Sequence, residues 1–151
     1  MTHIIIDGDA CPVVDSIVDL TTETGIFVTI IRSFSHFSNQ QYPKHVSIVY
    51  VDDGPDAVDY KIVKLSKPED IIITQDYGLA SLLIDKVTTV MHHNGKVYNH
   101  QNIQQLLDKR HLNAQIRKQG GRHKGPSRFT KADRKQFEQS LLNILSTTKG
   151  V

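Results

Sequence analysis

The sequence predicts an α/β fold, a three-layer α/β/α sandwich with a central, mostly parallel sheet. Short β-branched apolar runs alternate with amphipathic segments of helical period, which is typical of a sheet covered by helices. The runs are continuously apolar, as parallel strands buried on two faces are. They lie at residues 4–6, 26–31, 47–51, 71–74 and 87–91. With 151 residues and no internal repeat, the chain is expected to form one domain, residues 1–151.

The first half of the chain is predicted to contain three strands and two helices. The first strand ends in Asp7 and Asp9, with one small residue between them. Pro12 suits the first turn of a helix, where its missing N–H costs nothing, and Gly25 is a suitable stop. The elements that follow are a strand at 26–31, a polar loop at 32–44, a strand at 47–51 and a helix at 56–65.

The second half is predicted to be richer in helix. Its first elements are a strand at 71–74, a short helix at 77–85, a strand at 87–91 and a tight turn at 93–96. Apolar spacing then predicts one amphipathic helix over 99–118, with a break near His111 as an alternative. Thr130 and Asp133 have the spacing of a capping box and begin a C-terminal helix at about 130–146. Its predicted buried stripe consists of Phe137, Leu141, Leu142, Ile144 and Leu145.

Charge is distributed unevenly along the chain. Residues 1–108 hold 7 Lys/Arg and 14 Asp/Glu, a net charge of −7. Residues 109–151 hold 11 Lys/Arg and 2 Asp/Glu, a net charge of +9. An acidic body with a basic tail fits a cation site beside a surface for a polyanion such as nucleic acid. Two oppositely charged faces that aid solubility are the alternative.

A basic, glycine-containing segment at about 117–130 is predicted to be a flexible loop. Its charged residues, with Phe129 nearby, are candidates for binding the phosphates of a nucleic acid. They are Arg117, Lys118, Arg122, Lys124 and Arg128. A solvated basic loop without a ligand is the alternative.

Other classes of protein and site are not expected. No apolar run approaches the roughly 20 residues of a membrane span and no basic-then-apolar leader opens the sequence, so we expect no membrane partner and a cytoplasmic location. Cys11 is the only cysteine, which excludes an internal disulfide. Neighbouring aspartates disfavour its thiolate, so a small buried residue is preferred over a nucleophile. His92, His93 and His123 supply no ligand pair at zinc spacing and are expected to be surface histidines.

Aspartates follow three of the predicted strands or lie in the first turn of the next helix. Because the carboxyl ends of parallel strands share one edge of the sheet, carboxylates that are far apart in sequence can converge there. Such a group repels itself unless a cation lies within it, and Mg²⁺ or Mn²⁺ is the natural candidate. Two such ions could activate a water and stabilise the leaving oxygen in phosphodiester hydrolysis. The aspartates are Asp7, Asp9, Asp52, Asp53, Asp56, Asp59 and Asp76.

Some of these aspartates also have a local explanation. Asp56 could be only the N-cap of its helix, with Asp59 as its capping-box partner. Asp52 and Asp53 could be ordinary turn residues before Gly-Pro. Asp7 and Asp76 are harder to explain locally, because each follows a buried β-branched run.

Four short blocks that together span nearly the whole chain carry a family resemblance. They are Asp-Gly-Asp-Ala-Cys-Pro-Val at 7–13, Gly-Pro-Asp-Ala-Val-Asp at 54–59, Thr-Gln-Asp-Tyr-Gly-Leu-Ala at 74–80 and Gly-Pro-Ser-Arg-Phe-Thr at 125–130. Together they closely resemble the YaiI/YqxD family of uncharacterised bacterial proteins, which is regarded as related to the PIN-like nucleases. The resemblance implies a PIN-like fold, a parallel α/β/α sandwich with a metal site built from acidic residues.

The resemblance also implies roles for individual residues. Asp7 resembles the aspartate after the first PIN strand, Asp59 the helical aspartate and Asp76 the aspartate of the Thr-x-Asp block. These three would be catalytic and would bind metal, with Asp9 and Asp56 as additional metal ligands. RNA is favoured over DNA as the substrate by analogy alone. The chain departs from the pattern in two places, since the family often has Ala at position 8 and a typical PIN domain lacks the basic segment at 120–130.

The sequence therefore predicts a divalent-metal-dependent nuclease, and two alternatives remain open. A phosphohydrolase of the haloacid-dehalogenase type also begins with a strand and Asp-x-Asp, with Asp7 as covalent nucleophile. Such an enzyme also needs a lysine later in the sequence, followed by a pair of acidic residues that come after a strand. The candidate lysine, Lys67, is followed by Asp70, but Asp70 lies at the start of a predicted strand and not after one. The other alternative is a non-catalytic nucleic-acid-binding protein that uses the basic tail.

Overall fold

The computed structural model describes residues 2–120 and 128–149, which form five β-strands and five α-helices. The strands are β1 (His3–Asp7), β2 (Phe27–Ser33), β3 (Val46–Val51), β4 (Ile71–Ile73) and β5 (Thr89–Met91). The helices are α1 (Val14–Thr21), α2 (Ala57–Leu65), α3 (Tyr77–Leu83), α4 (His100–Lys118) and α5 (Lys131–Lys149).

The strands form one parallel sheet in the order β3-β2-β1-β4-β5. The chain proceeds from β1 to β2 and β3, then returns through α2 to place β4 on the other side of β1. The direction of strand succession therefore reverses between β1 and β4, which pair with Ile6 opposite Ile73. In open α/β sheets, ligands bind at such a switch point, beyond the carboxyl ends of the strands.

Helices cover both faces of the sheet. Ile4 and Ile6 of β1 belong to a buried cluster with residues of α1 and α5, whereas Ile5 belongs to a second cluster with residues of α2, α3 and α4. This alternation follows from the two-residue period of a strand. All three isoleucines are fully buried, so β1 lies at the centre of the sandwich. The predicted three-layer α/β/α fold class is confirmed.

A few predicted details of the helices are corrected. α4 is continuous through His111, so the alternative of a break there is wrong. In α5, Phe137, Leu141 and Leu145 are buried as predicted, but Leu142 is 42% exposed. The predicted capping box of α5 is confirmed. The Thr130 hydroxyl accepts a hydrogen bond from the Asp133 N–H at 3.1 Å, and Asp133 Oδ2 accepts one from the Thr130 N–H at 2.9 Å.

The loop predictions are only partly covered by the described residues. The polar loop after β2 contains a 3₁₀ turn at Phe34–His36. The basic segment predicted as a loop begins within α4, since Arg117 and Lys118 are its last two residues. Residues 121–127 lie outside the described part of the chain. In the two described ranges, no helix is long and apolar enough to cross a membrane.

Candidate active site

Three of the predicted site residues lie at the carboxyl edge of the sheet, beside the switch point. Asp7 is the last residue of β1, and Asp76 follows β4 as the N-cap of α3. Asp59 lies in the first turn of α2, the helix that connects β3 to β4. The parallel sheet thus brings together aspartates from three separate parts of the sequence.

A buried hydroxyl connects the two central aspartates. Thr74 Oγ1 donates a hydrogen bond to Asp7 Oδ2 at 2.8 Å and accepts one from the N–H of Asp76 at 3.0 Å. Thr74 is 2% exposed, and its carbonyl accepts a hydrogen bond from the Tyr98 hydroxyl at 3.1 Å. Asp76 Oδ1 also accepts the N–H of Leu79 at 3.1 Å, which caps α3. These bonds fix the positions of both aspartates relative to the sheet.

The carboxyl of Asp59 is influenced by the charges of the other aspartates at this edge. Burial, followed by the negative charges of Asp76, Asp7 and Asp56, raises the pKa of Asp59 to about 6. Negative charges close to a carboxyl group disfavour its ionised form, so each of these neighbours adds to the increase. The four aspartates therefore act as one electrostatic group.

Asp7 is affected by the same group. Burial is the main cause that raises its pKa above the ordinary value, and the charges of Asp76 and Asp9 add to it, while the Thr74 hydrogen bond acts in the opposite direction. Among residues 2–120 and 128–149, no lysine or arginine forms a salt bridge with Asp7, Asp59 or Asp76. Within the described residues, no basic side chain neutralises the negative charge of these three aspartates. Uncompensated negative charge of this kind favours the binding of a cation.

Asp56 is not explained by helix capping. It precedes α2 with a left-handed φ of 65°, and its side chain makes no capping hydrogen bond. Asp56 thus lies at the N-cap position that the alternative predicted, but its side chain does not cap the helix. A non-glycine residue with positive φ is uncommon, although aspartate tolerates it better than most, and such residues cluster at functional sites.

Asp9 is more strongly bound to the protein than the other aspartates. Its Oδ1 accepts the N–H of Ser33 and its Oδ2 accepts the Ser33 hydroxyl, both at 2.9 Å. His36 Nδ1 lies 3.2 Å from Oδ1. The backbone at Gly8, directly before Asp9, lies close to β2. A Cβ added at Gly8 would be only 2.9 Å from the carbonyl oxygen of Ile31. Asp9 therefore faces the site with part of its acceptor capacity already in use.

All five predicted metal ligands line one cavity of about 410 Å³. They are Asp7, Asp9, Asp56, Asp59 and Asp76. Asp53, predicted as part of the acidic group, lines it as well and accepts the N–H of Ser35 at 2.7 Å. We refer to this space as the acidic cavity.

The donor atoms of the acidic cavity suit a hard divalent cation, although they do not form a preassembled cage. In the described ranges, no three His, Cys, Asp or Glu side chains are arranged to hold one ion. Mg²⁺ commonly uses only one or two carboxylates and fills its other positions with water and substrate phosphates. Asp59 and Asp76 both line the acidic cavity and are candidates for such a pair. The residues therefore fit Mg²⁺ or Mn²⁺ held by few protein ligands.

The sequence matches a known family over nearly its whole length. The family model described as the uncharacterised YaiI/YqxD family covers residues 5–147. The chain belongs to this family. Curated relatives include UPF0178 proteins of Staphylococcus aureus strains bovine RF122 / ET3-1, JH9 and Newman. Each is 80% identical over 149 residues, which cover 99% of this chain and 98% of the relative. No solved structure matches the chain.

The basic residues of this YaiI/YqxD protein are only partly described. Arg117 and Lys118 are exposed at the end of α4, and Arg128 is exposed shortly before α5. Arg122 and Lys124, also predicted to bind nucleic acid, lie outside the described residues. Arg110 of α4, for which the sequence predicted no role, lines a cavity with Asp56, Asp59 and Asp76.

Two further sequence expectations concern a cysteine and a histidine pair. Cys11 packs against the core, and burial raises the pKa of its thiol to about 11, so the thiol is protonated at neutral pH. This agrees with the preferred interpretation as a packing residue. His92 and His93 are partly buried and line a cavity with Asp76, so their description as surface histidines is wrong.

Proposed function

We propose that this protein is a divalent-metal-dependent nuclease that hydrolyses phosphodiester bonds at the acidic cavity. The observation that supports it most directly is that Asp7, Asp59 and Asp76 line one cavity at the switch point of the sheet. Burial, and after it the negative charges of the neighbouring aspartates, raises the pKa of Asp59 to about 6. A cation would remove this repulsion, and a phosphodiester is a substrate that such a cation can bind.

Each aspartate has a role in this proposal. Asp7, Asp59 and Asp76 are the catalytic residues and supply oxygen ligands, and Asp9 and Asp56 add ligands at the cavity wall. Thr74 is a positioning residue, because its hydroxyl connects Asp7 with the backbone of Asp76. A bound Mg²⁺ or Mn²⁺ would activate a water and stabilise the leaving oxygen of the diester.

The family resemblance supports a place among the PIN-like nucleases. The resemblance implies catalytic aspartates near the end of one strand, early in a helix and after another strand, and the proposal assigns these roles to Asp7, Asp59 and Asp76. By that analogy RNA is favoured over DNA as the substrate. The basic residues would bind backbone phosphates of the nucleic acid outside the acidic cavity. They are Arg117, Lys118, Arg122, Lys124 and Arg128.

The geometry does not favour the haloacid-dehalogenase alternative. That chemistry would use Asp7 as a covalent nucleophile and would need a lysine near it. The lysine considered for this role, Lys67, precedes β4 at the amino edge of the sheet, where its N–H donates to Asp70 Oδ2 at 2.8 Å. Asp7 lies at the carboxyl edge of the same sheet.

The proposal is tested by assaying the purified protein with Mn²⁺ or Mg²⁺ on labelled RNA, single-stranded DNA and a generic phosphomonoester. Diester cleavage is expected, and Asp7→Asn and Asp76→Asn should each reduce it by about 100-fold or more, as the loss of one group that stabilises developing charge does. Asp19→Asn is the matched control, because Asp19 is exposed on α1. Its activity should equal that of the unsubstituted protein.

Two other outcomes would contradict the nuclease. Monoester turnover that is lost only in Asp7→Asn would support the dehalogenase type. Binding of nucleic acid without turnover of any of the three substrates would support a non-catalytic binding protein.

A further inference from the structure

A second cavity, of about 770 Å³, lies next to the acidic cavity and shares Gln75 and Asp76 with it. We refer to it as the histidine cleft. Its main walls are Tyr77, His92, His93, Arg110 and Phe129. They come from the start of α3, the end of β5, the middle of α4 and the segment before α5. A nucleotide chain bound at Asp76 would therefore have the histidine cleft as its adjoining space.

Four of the residues that line the cleft carry aromatic rings, namely Tyr77, His92, His93 and Phe129. The ring centroids of His92 and His93 are 4.1 Å apart, and the Phe129 ring meets His93 edge-to-face at 5.4 Å. Tyr77 makes an edge contact with Tyr98 at 6.2 Å. His92, His93, Tyr77 and Phe129 are only partly buried, so part of each ring remains open to a ligand. Flat surfaces of this kind stack on nucleobases.

The charges of the cleft favour a base over a phosphate. Burial, followed by the influence of His93, lowers the pKa of His92 to about 4, and burial also lowers the pKa of His93. Both imidazoles are therefore neutral at pH 7. The charged groups among the lining residues are the carboxylates of Asp76 and Asp133 and the guanidinium of Arg110. Two carboxylates repel a phosphate, whereas an uncharged base with N–H donors can lie beside them.

We propose that the histidine cleft binds the unpaired base of the nucleotide next to the cleaved phosphodiester, and that Arg110 binds a phosphate of that nucleotide. The assignment rests on the proposed nuclease function. Arg110 is exposed and also lines a cavity with Asp56 and Asp59, so it adjoins both the aspartates and the cleft. A base within a duplex is stacked on both faces and paired along its edge, so only an unpaired nucleotide can enter.

Fluorescence of 2-aminopurine tests the base site, with the probe placed at each position in turn of a single-stranded RNA hexamer. The protein carries Asp7→Asn in the acidic cavity, which is expected to slow cleavage by about 100-fold or more. At one position the probe should be quenched by stacking in the cleft. His93→Ala should restore the fluorescence and weaken binding about tenfold. Arg110→Gln should weaken binding about three- to tenfold without restoring the fluorescence, because only the phosphate contact is lost.

Controls separate these effects from general loss of structure or charge. Phe27→Ala and Lys44→Gln change exposed residues near the amino edge of the sheet and should bind RNA as the Asp7→Asn protein does. Arg110 is exposed, so Arg110→Gln is not expected to impair folding, and melting temperatures verify this for every variant. A duplex of the same sequence should bind at least about tenfold more weakly than the single strand.

The outcomes distinguish the cleft from the nuclease. Unchanged quenching and affinity in His93→Ala, equal affinity for duplex and single strand, or no binding of either would overturn the base site. RNA cleavage by protein with intact Asp7 that is insensitive to His93→Ala and Arg110→Gln would overturn the base site and leave the nuclease standing. Stacking in the cleft without cleavage of any substrate would refute the nuclease, and it would also overturn the assignment of the cleft to the nucleotide beside a cleaved bond.

Discussion

Asp59 is a residue whose ionisation opposes folding at neutral pH. Its folded-state pKa is about 6, against an ordinary value of 3.8, because of burial and the charges of Asp76, Asp7 and Asp56. Between about pH 4 and pH 6 the native protein therefore holds a proton that the unfolded chain has released. The stabilising contribution of this proton is complete below about pH 4 and is lost as the pH rises through about 6.

Replacement of Asp59 by asparagine is expected to remove this pH dependence. In EDTA at pH 7.5, Asp59→Asn should raise the free energy of unfolding by about 1 kcal/mol, a small value because solvent screens a carboxyl that is only partly buried. At pH 4.5 the difference should be much smaller. Urea unfolding followed by circular dichroism measures both, with Asp19→Asn as the control. Equal stabilities of Asp59→Asn and the unsubstituted protein at both pH values would contradict the repulsive cluster.

The hydroxyl residues of the site could not be predicted from the sequence. Asp7 and Asp76 could be predicted as site residues, because a carboxylate that follows a buried apolar strand requires a partner. Thr74 belongs to the Thr-x-Asp block of the family resemblance, but the sequence does not show that its hydroxyl bonds to Asp7 at the end of another strand. Ser33 binds both oxygens of Asp9 only because β2 lies beside β1, which the order of elements along the chain does not specify.

At the scale of elements, the turn between β5 and α4 supports the histidine cleft. The Gly95 N–H donates to the carbonyl of His92 at 2.9 Å, and the His92 N–H donates to the carbonyl of Lys96 at 2.9 Å. Gly95 has a φ of 95°, and a Cβ at this position would lie 2.8 Å from the carbonyl oxygen of Gln136 in α5. The turn therefore depends on glycine both for its backbone conformation and for its close packing against α5.

Gly95→Ala is expected to lower the free energy of unfolding by about 2–4 kcal/mol, from backbone strain and overpacking together. Gly25→Ala is the matched control, because Gly25 has a similar φ of 81° but no atom within 4 Å of the added Cβ. It should cost only about 1 kcal/mol, the part that comes from positive φ. Urea denaturation of the two variants gives the comparison. If both variants lost the same stability, the turn would not be packed against α5.

The tight turn at 93–96 could be predicted, because Asn-Gly has a distinctive local preference. The suggested break in α4 was wrong for a physical reason. Ile103, in the first half of the helix, is buried, whereas Leu112 is 56% exposed. The apolar pattern weakens because the second half of α4 leaves the core, and the backbone continues as a helix beyond that point.

At the scale of the molecule, the fold class could be predicted but the neighbours in the sheet could not. Parallel strands that are covered on both faces must be apolar along their length, so the runs in the sequence reveal them. The order β3-β2-β1-β4-β5 depends on how the chain returns after β3, and no local pattern records that choice. The position of β4 beside β1 brings Asp76 to Asp7, and so the composition of the acidic cavity depends on the whole sheet.

If Mg²⁺ or Mn²⁺ binds at the acidic cavity, as proposed, the stability of the whole protein should depend on the concentration of that cation. A cation that binds the folded chain alone stabilises it by about 2.7 kcal/mol when its concentration is about 100 times Kd. For a protein of 151 residues this corresponds to a rise in Tm of roughly 5–10 °C. Mg²⁺ or Mn²⁺ is therefore expected to raise the Tm at pH 7.5, and EDTA should reverse the effect.

Site variants show whether this stabilisation comes from the acidic cavity. Asp7→Asn and Asp76→Asn should gain less than about 2 °C from Mn²⁺, since each loses one ligand and part of the negative charge. Asp19→Asn should gain as much as the unsubstituted protein. At pH 5 the rise in Tm caused by Mn²⁺ should be smaller for each of these proteins. Asp59, with a pKa of about 6, must lose its proton before it can bind the cation. An equal gain in Asp7→Asn would place the cation elsewhere on the protein, and the acidic cavity would then lose its role as the metal site.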